Sequence, residues 1–146
     1  MPARLLLAFL FVVAASGCDT DDFACTLIGC DDALAVVVTG PNGTPGPGRY
    51  VVSASSNVAD EEPSECAFVV TARGEVESEC GAFRAPDEPG VRVPLPPLTG
   101  PVTVDVTRDG VLATRVGAEP AYVGQFPNGP DCGEACRVAT VGVAVD

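Results

Sequence analysis

The sequence has no His, no Lys and no Trp, and a single Met. Each absence excludes something. Without His there is no Ser-His-Asp or Cys-His nucleophile, and the common His-containing zinc sites are excluded too. All eight basic residues are Arg, against twenty acidic ones, for a formal net charge of -12. A chain this acidic lacks the basic face that binding to phosphate backbones requires, so no nucleic-acid partner is expected. Amphipathic helical stretches of useful length are missing as well. In their place stand 23 Val, 16 Gly and 14 Pro, a composition of strands and turns. The 146 residues amount to about one domain.

The first 18 residues read as an export signal. Arg4 is the sole charge before an apolar run at residues 5–15, and small residues follow. The run is about half the ~20 residues that span a bilayer, so it reads as a cleaved signal and not a permanent span. Ala15-Ser16-Gly17-Cys18 resembles the bacterial lipobox, with Ala15 where Leu is commoner. That resemblance implies cleavage after Gly17, a diacylated Cys18 thiol and an acylated new amino terminus. The alternative is an ordinary signal peptide with Cys18 as a spare thiol. Two or three acyl chains give stable anchoring, whereas one does not. Asp19 resembles the inner-membrane retention signal of enteric bacteria, a rule that is not general, so inner and outer membrane stay undecided. Asp19, Asp21 and Asp22 form an acidic tether that anionic lipid repels. The expected division is 1–17 signal peptide, 18–29 lipidated Cys and tether, and 30–146 a single domain.

Setting Cys18 aside leaves Cys25, Cys30, Cys66, Cys80, Cys132 and Cys136. An even number in an exported chain reads as a disulfide framework, with 15 possible pairings. One pair is narrowed by local geometry. Taking Ala72-Arg73-Gly74 as a three-residue hairpin loop pairs Val70 with Val76, Phe68 with Ser78 and Cys66 with Cys80. Turn chemistry, face alternation and Cys pairing agree on that register. The other four Cys close locally or tie the N-terminal segment to the last loop. Their rival use is as zinc thiolates or a redox pair. The spacings are not C-x-x-C, so structural staples are the favoured reading, each adding roughly 2–4 kcal/mol.

Short β-forming runs alternate with turn clusters along the mature chain. Strands are expected at 33–39, 49–55, either side of the first hairpin loop, 91–95, 101–107, from 111, and 137–145. A brief one is possible near Tyr122. Pro94 places its strand at an edge or an end. In the second hairpin, Arg108-Asp109-Gly110 reads as another three-residue loop pairing Thr107 with Val111. Val102, Val104, Val106, Leu112 and Val116 then share one face, and Thr103, Asp105, Thr107, Ala113 and Arg115 the other. The expected fold is all-β, an immunoglobulin-like or transthyretin-like Greek-key sandwich of seven or eight strands stapled by disulfides. Its core would be Val, Ala and Leu, with Phe68 and Phe83 as large fillers.

The segment 131–137 after Pro127-Asn128-Gly129-Pro130, with Cys25-x4-Cys30-Asp31-Asp32, resembles envelope lipoproteins of high-GC, myxobacteria-like species. That group has no assigned activity, so the resemblance implies a source and a class without a mechanism.

Candidate sites are few. Asp60, Glu61, Glu62 and Glu65 could ligate Ca²⁺, but they lack the EF-hand pattern and read first as a solvated loop. Glu75, Glu77 and Glu79 sit about 7 Å apart along one strand face, where like charges discourage edge-to-edge pairing. Gly40 to Gly48 has no Lys-Ser/Thr, so it is no phosphate loop. Asn42-Gly43-Thr44 fits turn chemistry better than a glycosylation site. Tyr50, Tyr122 and Phe126 are the candidates for a sugar-stacking platform. No cofactor, no resident metal and no enzyme activity are expected. The leading expectation is a lipid-anchored, non-catalytic binding or structural accessory module of the bacterial cell envelope. Its membrane contact would be the lipid on Cys18, and its partner an envelope protein or glycan. A Ca²⁺- or glycan-binding module is the alternative, and a thiol-redox or zinc protein the second.

Overall fold

The computed structural model describes residues 30–127, 129, 133 and 135–146. Nine strands and no helix occur among them, in two sheets. The strands are β1 (Ala33–Thr39), β2 (Gly48–Ser56), β3 (Ser64–Val70), β4 (Val76–Ser78), β5 (Val91–Leu95), β6 (Val102–Arg108), β7 (Val111–Ala118), β8 (Val123–Gln125) and β9 (Cys136–Ala144). One sheet runs β5-β1-β9-β8 and the other β4-β3-β2-β6-β7. The chain crosses between them four times, after β1, β4, β5 and β7. Nine strands exceed the expected seven or eight, and the brief strand near Tyr122 forms as β8.

Alternation decides which side of each strand is buried. Leu34, Val36 and Val38 of β1 point inward with Val91, Val93 and Leu95 of β5 and Ala139, Val141 and Val143 of β9. From the facing sheet come Tyr50, Val52 and Ala54, then Cys66, Phe68 and Val70, then Val102, Val104 and Val106. All belong to one cluster, and among the described residues no polar or charged one is buried with them. β1 and β9 pair in parallel, Val36 beside Val141. Parallel neighbours need a long connection, and here nearly the whole domain supplies it.

The first hairpin has the expected register: Val70 opposes Val76 and Phe68 opposes Ser78. Thr71 N donates to Glu75 O at 2.9 Å and closes the loop 72–74. Cys66 and Cys80 are disulfide-bonded one step further along the same face.

The second hairpin corrects its expectation. Arg108 opposes Val111, so the turn is the two residues Asp109-Gly110. Both have positive φ, 51° and 82°, the conformation a tight hairpin turn demands. A bulge then follows: Thr107 opposes Leu112, but Val106 opposes Thr114, leaving Ala113 as the extra residue. That insertion returns Val116 opposite Val104 and Arg115 opposite Asp105. Arg115 therefore stays outward, as expected from its charge, while Leu112 does not join the core and is 50% exposed.

Two aromatic positions also differ from expectation. Phe83 is 47% exposed. Its backbone bridges Arg92 on β5 in both directions, which aligns it with the outward Arg92, and Ala82 takes the inward place. Tyr50 is the second large filler, stacked on Phe68 with ring centroids 5.2 Å apart. Its hydroxyl donates to Gly46 O at 2.8 Å, so the ring is buried with its polar end satisfied.

Candidate functional site

The cysteines supply the covalent frame. Cys30 precedes β1, and Cys136 is the first residue of β9. They are disulfide-bonded with Cα atoms 5.6 Å apart. This resolves part of the open pairing: the N-terminal segment is tied to the start of the last strand, and Cys136 is not closed locally with Cys132. Two of the four sulfurs that a zinc or redox reading requires are thus bonded to each other. Cys18, Cys25 and Cys132 lie outside the described residues.

The acidic loop is organised around one carboxylate. Glu61 accepts from Thr99 N at 3.1 Å and from the Thr99 hydroxyl at 3.2 Å. The Ser56 hydroxyl and then Thr99 hold its carboxyl below the usual range. The same Ser56 oxygen lies 2.5 Å from Thr99 O. The loop is therefore fastened to the segment leading into β6. Asp60 sits beside it with a positive φ of 69°. Glu65 lies on β3 opposite Ser53. Among the described residues, no three acidic or cysteine side chains are brought together as a metal set.

The aromatic platform does not assemble. Tyr50 is in the core. Tyr122 directs its hydroxyl at the Leu98 backbone, accepting from N and donating to O, each at 2.9 Å. Only Phe126 of the three is an exposed large hydrophobic.

An open hollow lies along β2, β3 and β4. Arg49 opposes Val69, and Val69 opposes Glu77, so one row crosses three strands. With Glu65, Ala67 and Glu79 these residues line the hollow, about 640 Å³ in volume. Its lining mixes apolar side chains with Glu65, Glu77 and Glu79 and the guanidinium of Arg49. The arrangement can hold an extended group with a cationic end toward β4. The glutamate stripe was legible in the sequence, but Arg49 was not. Its place depends on how β2 pairs with β3, and the acidic loop between them gives no register signal. A second hollow of about 520 Å³ on the other sheet is lined by Arg92, Ala121, Val123, Gln125, Val138 and Thr140. No family model, curated protein or solved structure matches the chain.

Proposed function

We propose that the protein is a lipid-anchored, non-catalytic module of a bacterial cell envelope, acting as a binding or structural accessory domain. The observation that carries this reading is the leader ending at Cys18, followed by a disulfide-fastened domain from Cys30. Acylation of Cys18 would leave twelve residues of chain before Cys30, a reach of at most about 40 Å. A pull on that tether would arrive at Cys30 and, through its disulfide, at Cys136. β1, which follows Cys30, and β9, which begins at Cys136, are the two central strands of their sheet. The load would thus be shared by the best-paired part of that layer. The acidic tether would keep the domain off an anionic lipid surface, leaving its outer faces free for an envelope partner.

The test is fractionation of cells making the full chain or its Cys18→Ser variant. The proposal expects the unmodified sequence in membranes with a mass increase of two or three acyl chains. The variant should be released in soluble form with Cys30–Cys136 and Cys66–Cys80 intact. Equal membrane retention of both chains would contradict it.

A further inference from the structure

Two strand edges lie open on one flank of the sandwich. β7 pairs with β6 on one side and, among the described residues, with no strand on the other. β9 pairs with β1 over residues 138–144, but β8 covers only residues 136–138 of its other side. β7 and β9 approach each other across the two layers, so these edges share a flank.

The remaining edges are blunted. β4 is three residues long, with Glu77 in it and Glu75 and Glu79 beside it. β5 contains Pro94 and is bridged by Phe83. Charged residues, prolines and short length are the usual protections of a sheet edge. β7 has eight residues and no proline, and its irregularity is confined to the bulge near its turn. It carries no carboxylate in a chain with twenty. Its one charge, Arg115, is paired with Asp105 across β6, Nη2 to Oδ2 at 2.6 Å.

Two further details sit on β7. Val116 and Ala118 pack on the core yet remain partly uncovered. Gly117 lies between them, and a Cβ there would meet nothing within 4 Å. Glycine weakens a strand, and it often marks the close approach of another backbone. Among the described residues, none lies close enough to Gly117 to account for it.

We propose that β7 is a self-association edge, where a second copy adds its own β7 antiparallel about a two-fold axis at Val116. The two five-stranded sheets then become one of ten strands. Antiparallel self-pairing sets Val116 opposite its counterpart and Arg115 opposite Gly117 of the partner, where the missing side chain leaves room. Thr114 meets Ala118. Charge selects this occupant. A basic partner is drawn to the acidic surfaces, whereas two chains of charge -12 repel wherever carboxylates face each other. The β7 edge is where a like-charged copy meets none on the pairing strand. Strand pairing alone buries less than a standard interface, so the dimer is weak in solution and strengthened where copies are confined to one surface.

The test is sedimentation of the full chain over a concentration series in excess nonionic detergent, with amide hydrogen exchange across β7. The expected result is a monomer–dimer equilibrium in which exchange at residues 114–118 slows as concentration rises. Gly117→Glu, which adds a carboxylate in open space, should weaken dimerisation at least about tenfold. Glu77→Gln, on the guarded edge, should leave it unchanged. A chain that stays monomeric with concentration-independent exchange would overturn the proposal. So would a dimer that Gly117→Glu does not weaken, because its contact would lie elsewhere.

Discussion

The Tyr122 hydroxyl and the Leu98 backbone satisfy each other completely: the oxygen accepts from Leu98 N and donates to Leu98 O, both at 2.9 Å. Leu98 is 2% exposed. Tyr122→Phe removes one oxygen and leaves a buried donor and a buried acceptor without partners. The expected cost is about 1–3 kcal/mol, measured as a shift in the urea unfolding midpoint with unchanged slope. A shift within error would mean that water replaces both bonds.

Ala113 is the residue that the β6–β7 ladder does not use. Its deletion brings Thr114 directly after Leu112 and keeps Thr107–Leu112, Val106–Thr114 and Asp105–Arg115 opposite one another. The deletion should therefore fold with a thermal midpoint close to that of the parent. Deleting Val104 instead moves the β6 residues on one side of the gap to the opposite face and should abolish folding. Circular dichroism melts of the two deletions make the comparison.

The two disulfides close loops of very different length. Cys30 and Cys136 are 106 residues apart, and Cys66 and Cys80 are 14 apart. The comparison is made with Cys25 and Cys132 already replaced by Ser, so that no other link spans the domain. Removing the long bridge should then cost about 4–5 kcal/mol, and removing the short one about 3 kcal/mol. Equal costs would show that the chain-entropy difference is not expressed.

Two carboxyls are lowered by folding and add to the acid dependence of stability. Hydrogen bonds from Ser56 and Thr99 lower Glu61, and the Arg115 guanidinium lowers Asp105. A carboxyl lowered by folding adds stability that is fully present above its unfolded value. That stability is lost as the pH falls through the folded one. The chain should therefore lose stability as it is acidified below the ordinary values of 4.5 and 3.8. The Glu61→Gln, Asp105→Asn double variant should show a shallower decline. Chemical denaturation from pH 7 to pH 2 measures both slopes.

Much of the fold was legible because independent local signals agreed. Around Cys66 and Cys80, a Gly-bearing loop, strict alternation and a Cys pair all specify one register, and that register forms. In the second hairpin, alternation placed Val102, Val104 and Val106 inside and Asp105 and Arg115 outside. The turn was misassigned because a bulge hides one residue from any parity count. The order of strands was not legible, since β1 and β9 meet only after the chain between them has folded. The same holds for the sites. Glu61 reads as a free carboxylate until Thr99 is brought to it from 38 residues away. Tyr50 reads as a surface ring until its place opposite Phe68 is known.

The protein is proposed to be an anchored, stapled domain. The most direct test of that proposal is intact mass with non-reducing peptide mapping of protein extracted from its native membrane, with thiols blocked at lysis. The expected result is a chain beginning at acylated Cys18, with six oxidised cysteines and cross-linked peptides joining Cys30 to Cys136 and Cys66 to Cys80. An unmodified Cys18 with the leader still attached, or free thiols at Cys30 and Cys136, would contradict it.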